Sequence, residues 1–446
     1  MERAGGRPGL RAGVARAIIT PPIAMPMMGF AGRGVATGTH DDLTATALVL
    51  EDPGGTSLAL IACDLIGVPD LAWMATPVSR LTGIERSHMI VAASHTHYGP
   101  AIAGGADETV MSAVPHGPAY VEAYTANLVH QLAGLVLAAQ RGATPCTVSA
   151  GRGDVRIGVN RRERTADGSI VLGQNPAGPA DTSVRVVRVD STEGHPLALI
   201  ANHACHPVSL GGECTELSAD FPGVMRGLVE RELGAPCLFL QGAAGNINPL
   251  VRGWDWTHPA RLGLALGAEV LRTCWSIAPG AGPAPGALAV ARSTVGLPPL
   301  VPDSPAAAHE LESQLLQELS ASEAGSSRAF WAARRLRRVR RGLEALEGGP
   351  KVPPVEAELV AVRLDAEIAV VTAPGEIFTE IGQSVVARSP FRDTIYAAYA
   401  NGSVGYVPTR AAYHEGGYEV THACNVGPEA GELIEEESLR LLASLK

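Results

Sequence analysis

The chain has 446 residues, of which 46% are hydrophobic and 18% are charged, a composition typical of a globular protein and far from that of a disordered chain. Its net charge of −10 argues against nucleic acid and against an anionic membrane surface as main partners. No apolar run approaches the roughly 18 residues of a membrane-spanning helix, so we expect no stable membrane insertion.

The N-terminus and the cysteines point to a cytoplasmic protein. The first residues carry positive charge but no apolar stretch, so we predict no secretory signal. The seven cysteines are scattered, odd in number and without a C-x-x-C pair, which argues against a disulfide framework or a cysteine-based zinc knuckle. We therefore expect mostly buried thiols.

Apolar runs alternate with helical patterns along the chain. Residues 45–66 predict two strands around a turn at Asp52–Gly55, and the apolar spacing over 119–140 predicts a helix. The remaining predicted elements are strands at 88–93, 197–201, 237–240, 368–373 and 394–400, and helices at 222–233 and 258–275. This alternation predicts an α/β (or α+β) fold with a large mixed sheet and flanking helices.

A break and a helical insertion follow the first two thirds of the chain. Residues 276–303 are rich in Pro, Gly and Ala. Residues 305–347 predict one long helix or a helical hairpin, interrupted near Gly325–Ser327. We treat 276–350 as a break and insertion within a single domain that spans 1–446.

The second half of this insertion carries six arginines within Arg334–Arg341. The ordinary interpretation of such a run is a solvated helix face. The alternative is a site for an acidic partner. The acidic total charge makes nucleic acid a poor candidate for that partner.

Chemically active residues follow five of the apolar strands. Because ligand sites in α/β sheets gather at the carboxyl ends of strands, we expect these loops to meet in space. The five segments are Ser94–Pro100, Asn202–Pro207, Gly242–Asn246, Pro374–Glu376 and Asn401–Tyr406.

Three of these loops carry residues that suggest a metal site. On an extended segment, His95 and His97 would point to the same face. A further histidine, His206, and a carboxylate, Glu376, would complete a zinc shell that leaves one position open for water. The alternative is that one or more of these histidines caps a strand through backbone hydrogen bonds.

Other motifs are less specific. Gly242–Asn246 lacks the Lys-Ser/Thr of a phosphate-binding loop, so a tight turn close to a ligand is the better interpretation. The chain has no G-x-S-x-G, which argues against a serine-hydrolase elbow. Asp64 and Asp220 adjoin apolar runs and are candidates either for partners of a liganding histidine or for structural roles.

Motifs spread over nearly the whole chain resemble the zinc-bearing catalytic domain of the neutral/alkaline non-lysosomal ceramidases. Their order, and the spacing of twelve residues between Tyr406 and Tyr418, make the resemblance specific. The matching segments are Thr20–Pro22, Met27–Ala31, Ser94–Pro100, Asn160–Arg161, Ala204–His206, Ser218–Asp220, Gln241–Asn246, Pro374–Glu376, Tyr406–Thr409 and Tyr418–Glu419.

The resemblance implies one catalytic Zn²⁺ and a set of roles. The implied metal ligands are His95, His206, Glu376 and Tyr406. The implied groups that hold the substrate, stabilise the oxyanion or protonate the leaving amine are His97, Arg161 and Tyr418.

The chain also departs from the family. Gly242 stands where ceramidases have a serine after the glutamine, so a mechanism with that serine as nucleophile is not expected. The family's C-terminal immunoglobulin-like domain is expected to be absent. Aromatic residues make up only 4% of the chain, which leaves few anchors for a membrane surface. A small or soluble N-acyl compound is therefore the expected substrate.

The leading hypothesis is a zinc-dependent amidohydrolase that cleaves a linear amide by means of a zinc-activated water. Four alternatives stay open: action on an ester or lactone, amide formation or cyclisation in a biosynthetic pathway, genuine ceramide hydrolysis, and a non-catalytic binder. Ligand types alone leave open which divalent ion is bound. The oligomeric state is likewise open.

Overall fold

The computed structural model describes residues 9–22, 24–104, 117–278 and 288–446. Part of the predicted Pro/Gly-rich break, 279–287, lies outside the described residues. Within them the chain forms a mixed α/β fold.

The strands are numbered in chain order. They are β1 (Arg11–Ile18), β2 (Gly38–Thr39), β3 (Thr44–Glu51), β4 (Ser57–Cys63), β5 (Met89–Ala93), β6 (Thr144–Asp154), β7 (Gly158–Arg164), β8 (Ile170–Asn175), β9 (Ser183–Ser191), β10 (Pro196–His203), β11 (Glu216–Leu217), β12 (Cys237–Gln241), β13 (Ile247–Pro249), β14 (Ala289–Leu297), β15 (Val355–Arg363), β16 (Ile368–Thr372), β17 (Glu376–Ile377), β18 (Asp393–Ala397) and β19 (Tyr406–Val407).

The α-helices are numbered in the same way. They are α1 (Ala72–Thr82), α2 (Gly117–Arg141), α3 (Asp220–Leu233), α4 (Thr257–Ser276), α5 (Pro305–Ser320), α6 (Ser327–Leu346), α7 (Thr379–Arg388), α8 (Arg410–Glu415), α9 (Tyr418–Thr421) and α10 (Ala430–Leu445).

Two sheets form the centre of the fold. The larger has eight strands in the order β12-β10-β9-β6-β1-β3-β4-β5, antiparallel except for the parallel pairs β10/β12 and β4/β5 at its two edges. The smaller has the order β14-β15-β16-β18, with β16 and β18 parallel. The predicted mixed-sheet α/β fold is confirmed.

The two sheets pack face to face because their strands are apolar on both sides. In β3, Leu48 and Leu50 point toward the smaller sheet, where Val360 and Val362 of β15 belong to the same core cluster. The alternate residue Val49 points to the opposite face, toward the helices. Helices cover both outer faces, so the core has four layers.

The predicted helical insertion is a hairpin of α5 and α6. Each helix begins at a serine, Ser304 or Ser326, whose hydroxyl accepts a backbone N–H of the first turn. The hairpin has a small apolar core of its own, formed by Ala308, Leu315, Ala332, Leu336, Val339 and Leu343.

Most of the thiols are buried, as the sequence predicted. Among the described residues no disulfide forms, and six of the seven thiols are buried. No helix in the described part of the chain combines the length and apolarity needed to span a bilayer.

Candidate metal centre

The carboxyl ends of strands from both sheets meet at one place. The N–H of Ala93, at the end of β5, donates to the carbonyl of Tyr399 beyond β18 at 3.1 Å. The N–H of His97 donates to the carbonyl of Pro207 at 3.2 Å. These backbone bonds bring three of the predicted loops together.

His95 and His97 converge, but not as an extended segment. His95 has a φ of +67°, in the left-handed region that non-glycine residues rarely adopt, and residues 94–97 lie outside any strand. The prediction that strand geometry aligns the two side chains is therefore wrong. The sharp turn brings the two Nε2 atoms to 3.2 Å instead.

Backbone carbonyls orient two of the histidines. Nδ1 of His95 is hydrogen-bonded to the carbonyl of Ile66, and Nδ1 of His206 to the carbonyl of Ala244 at 2.6 Å. A carbonyl can only accept, so each Nδ1 carries the proton and each Nε2 presents its lone pair to the site. This is how metal-binding histidines are commonly held.

The two predicted aspartates have structural roles. Asp64 forms a buried ion pair with Arg226, and Asp220 accepts the backbone N–H of Ser209 at 2.9 Å. The hydrogen bonds of these two carboxylates go to other residues than the histidines of the site. The partners that orient the histidines are carbonyls, which leave no signature in residue type.

Strand pairing places Glu376 beside Tyr406. They are register partners in the short parallel pair β17/β19. Oε2 of Glu376 lies 3.0 Å from Nε2 of His206 and 3.4 Å from Nε2 of His95.

The segment Gly242–Asn246 packs closely against the backbone of Glu376 and against Ala204. A side chain at Gly245 would overlap the carbonyl oxygen of Glu376. A Cβ at Gly242 would lie 2.9 Å from the Cβ of Ala204 and 3.1 Å from its backbone, which leaves no room for a serine without a shift. The segment forms a tight turn against the donor cluster.

The donor atoms fit a small divalent ion. Imidazole and carboxylate ligands arranged tetrahedrally at their usual bond lengths would be about 3.3 Å apart. Oε2 of Glu376 lies at 3.0 Å from Nε2 of His206 and at 3.4 Å from Nε2 of His95, close to this value. Burial, together with Arg161, lowers the pKa of His206 to about 4, so its imidazole is neutral as a ligand must be.

His97 lies beside these donors and shares the pocket with His95, as predicted, although not by strand geometry. The ligand atoms of His95, His97 and His206 all lie within 4.8 Å of one another. The ring of His97 packs edge-on against Phe30 at 5.1 Å, and a Cβ at Gly29 would lie only 2.7 Å from that ring. Gly29, with a φ of +108°, is thus required for the close approach.

Arg161 lies next to His206 and is held in place by Glu419. Its Nε donates to Glu419 at 2.7 Å, and its Nη1 lies 3.4 Å from Nε2 of His206. Glu419 also accepts from Arg162 at 2.8 Å. Burial opposes ionisation of Glu419, but Arg161 outweighs it and lowers its pKa. The sequence showed Glu419 only as a neighbour of Tyr418.

The two predicted tyrosines flank this guanidinium. Arg161 lies 5.2 Å from the ring centre of Tyr406 and 5.9 Å from that of Tyr418. The two rings are 5.8 Å apart. All seven predicted site residues therefore lie in one cluster.

Tyr399 is a further member of the cluster. Its ring centre lies 4.1 Å from that of His95, and its φ is +56°. Its hydroxyl is buried without a hydrogen-bond partner among the described residues. It lies two residues after β18, inside the run 394–400 that was predicted to be a strand, so the sequence did not single it out.

A cavity of about 170 Å³ opens beside the cluster. Its lining includes the donors His95, His97 and Glu376 and the tyrosines Tyr406 and Tyr418. His206 and Arg161 are not part of this lining. The rest of the wall is formed by the loop around Met28 and Phe30 and by α6 of the hairpin. The helical insertion is thus part of the site.

Comparison with solved structures identifies the fold. The chain is similar to neutral ceramidase from Pseudomonas aeruginosa, with a TM-score of 0.71 and 19% identity over 99% of this chain and 75% of that one. A ceramidase complexed with C2 matches with the same TM-score and identity, over 98% of this chain and 75% of that one. No protein-family model and no curated protein matches the sequence. The fold expected from the resemblance is confirmed.

Proposed function

We propose that this chain, which has the ceramidase fold, is a zinc-dependent hydrolase that cleaves the amide bond of a small or soluble N-acyl compound. The observation that carries the proposal is the convergence of imidazole nitrogens and the Glu376 carboxylate at 3.0 to 3.4 Å beside a cavity. The fold of the two solved ceramidase structures supports the choice of an amide.

We assign the metal-binding role to His95, His206, Glu376 and Tyr406. When bound, the ion would polarise the amide carbonyl and acidify a water molecule. Tyr406 enters the set because β19 holds it beside Glu376 and because the charge of Arg161 lies against its ring. His97, which lines the cavity as His95 does, is assigned to substrate binding.

The remaining residues supply charge and a proton. Arg161, fixed by Glu419, places a permanent positive charge behind both tyrosines, which lowers the energy of negative charge that develops on the carbonyl oxygen. Tyr418 lines the cavity and offers its hydroxyl proton to the leaving nitrogen. The proton released by the attacking water restores that hydroxyl.

The chain contains its own control for the metal assignment. His203 is buried like His206 and lies three residues before it, but its Nδ1 bonds to the carbonyl of Ser183, away from the cluster. We expect about one zinc per chain in the wild type and in His203→Ala, and almost none in His206→Ala. Mass spectrometry of protein purified without added metal measures this.

Turnover is tested on matched amides and esters, with condensation of the products as the reverse assay. Amide cleavage by the wild type and its loss in His206→Ala are the expected results. Faster ester cleavage would move the assignment to an esterase or lactonase. A protein with bound zinc that converts none of these compounds would contradict the hydrolase proposal.

A further inference from the structure

Five consecutive residues, Met27–Ala31, form a large share of the cavity lining. The side chains of Met27, Met28 and Phe30 make this part of the lining apolar. Tyr418, which is assigned to the leaving nitrogen, belongs to a different segment of the chain. An apolar acyl chain is the part of an amide substrate that such a surface binds. The position of the Met27–Ala31 segment therefore decides how well an acyl chain is buried.

The Met27–Ala31 segment has little regular structure of its own. Met27 makes an isolated bridge to Pro100, and residues 28–32 form neither a helix nor a strand. Gly29 and Gly32 have φ values of +108° and +81°, so the backbone turns sharply. A segment with so few backbone hydrogen bonds needs contacts from outside to keep one conformation.

Arg33 bonds this segment to the loop that carries His97. Its Nη2 donates to the carbonyls of Met28 and His97, and its Nη1 donates to the carbonyl of Cys214 at 3.2 Å. The guanidinium carbon lies 5.1 Å from the ring centre of Phe30. One side chain thus joins the apolar segment to the backbone of a histidine that lines the cavity.

The charge of Arg33 serves these contacts rather than an ion pair. Its partners among the described residues are carbonyl oxygens and the ring faces of Phe30 and Tyr98. Burial lowers its pKa to about 10, which is still above neutral pH, so the guanidinium keeps its charge. A planar guanidinium directs several N–H donors at once, which neither a lysine nor a glutamine side chain reproduces. Because Arg33 is not part of the cavity lining, it acts on a substrate only through the residues that it holds.

We infer that Arg33 is a positioning residue that holds Phe30 against His97 and thereby sets how well the acyl chain of the substrate is bound. The rings of Phe30 and His97 meet edge-on at 5.1 Å, and Arg33 bonds to the backbone on both sides of this contact. This inference rests on the proposed amidohydrolase function, because it concerns the acyl half of the substrate of the same site.

Two amides that differ only in the acyl chain test the inference. The probes are N-hexanoylethanolamine and N-acetylethanolamine, and the measured quantity is the ratio of their kcat/KM values on the zinc protein. Arg33→Gln removes the charge and the paired donors. Arg188→Gln is the matched control, because Arg188 also donates to a cysteine carbonyl, that of Cys274 at 3.2 Å, but lies outside the cavity lining.

We expect the wild type to prefer the hexanoyl compound about 10- to 100-fold, because each buried methylene strengthens binding. In Arg33→Gln this ratio should fall about tenfold, through a higher KM for the hexanoyl compound with kcat nearly unchanged. A general loss of folded protein would lower kcat/KM for both amides equally and leave the ratio as it was. An unchanged ratio in Arg33→Gln, or an equal fall in Arg188→Gln, would overturn the inference.

A second variant decides the matter if Arg33→Gln does not fold. Arg33→Lys keeps the charge but has one nitrogen in place of the two that contact the carbonyls. Its ratio should therefore be lower than that of the wild type. A wild-type ratio in Arg33→Lys would contradict the inference.

Binding separates this inference from the proposed function. If the wild type hydrolyses neither amide, the hydrolase proposal fails for them, and calorimetry measures their binding to the same zinc protein. Tighter binding of the hexanoyl compound, with the difference lost in Arg33→Gln, would still support the role of Arg33. Equal or undetectable binding of both amides to the wild type would refute it.

Discussion

The donor cluster and the α6 wall face the same cavity, but different forces hold them. In the cluster His206 is fully buried, and backbone carbonyls fix the histidine rings. On α5 and α6, exposed ion pairs such as Arg340–Glu312 contribute little, because water screens them. The donor cluster is thus held by the core, whereas the α6 wall belongs to a helical hairpin that packs beside it.

Metal removal should affect the cluster most. Chelation should abolish activity and lower the midpoint of thermal unfolding, since a metal present at about a thousand times its Kd stabilises the folded state by about 4 kcal/mol. His206→Ala should show the same low midpoint with and without chelator. An unchanged wild-type midpoint after chelation would show that the cluster does not bind a metal that stabilises the fold.

The loss of one proton donor should leave the metal in place. Tyr418→Phe should keep zinc and lower kcat about 100- to 10,000-fold, the usual range for a general acid. Tyr413→Phe is the matched control, because that hydroxyl bonds to the carbonyl of Val426 at 2.7 Å. Full activity in Tyr418→Phe would refute the assigned role.

Glu419 should act through Arg161. Glu419→Gln weakens the hydrogen bond that orients Arg161. We expect kcat to fall about 10- to 100-fold with KM nearly unchanged, as when a residue that orients a metal ligand is replaced. Steady-state kinetics with metal analysis checks this. A rise in KM alone would place Arg161 in substrate binding instead.

The wall should affect binding rather than chemistry. Trp331→Ala removes an aromatic surface from the cavity, and we expect KM to rise about tenfold with kcat and zinc retained. Trp275→Ala, at an exposed position on α4, is the control and should change neither. If kcat falls instead, the helix and the cluster are not separable in function.

The smallest effect on turnover is expected at Asp220, which should instead alter stability. Burial raises its pKa from 3.8 to about 6, although the hydrogen bond from Ser209 has the opposite effect on the pKa. Between these values the folded state binds more protons than the unfolded state, so the free energy of unfolding falls as the pH rises through this range, by about 3 kcal/mol at most.

Asp220→Asn should lack this contribution. Denaturant unfolding of both proteins between pH ~4 and ~7 would show it, because the difference between the two curves must change only where Asp220 titrates. Parallel pH dependence in the two proteins would show that Asp220 has an ordinary pKa.

The apolar strands were predictable, and the polar ones were not. The runs that became β5, β10 and β12 are buried on both faces and therefore nearly continuous in apolar residues. In contrast β7, which carries Arg161, contains three arginines, and its burial depends on pairing with β13 and β8. No local periodicity reports such pairing.

The sequence by itself determined which residue types follow each buried strand, and the family resemblance linked them to one zinc chemistry. Only the tertiary structure decided how they meet. Pairing of the two-residue strands β17 and β19 makes Glu376 and Tyr406 neighbours. The left-handed backbone conformation of His95 brings its ring close to that of His97. Only the packing of α6 brought Arg334 to the cavity. Such contacts depend on pairing and packing between segments distant in the chain, whereas the patterns readable in a sequence are local.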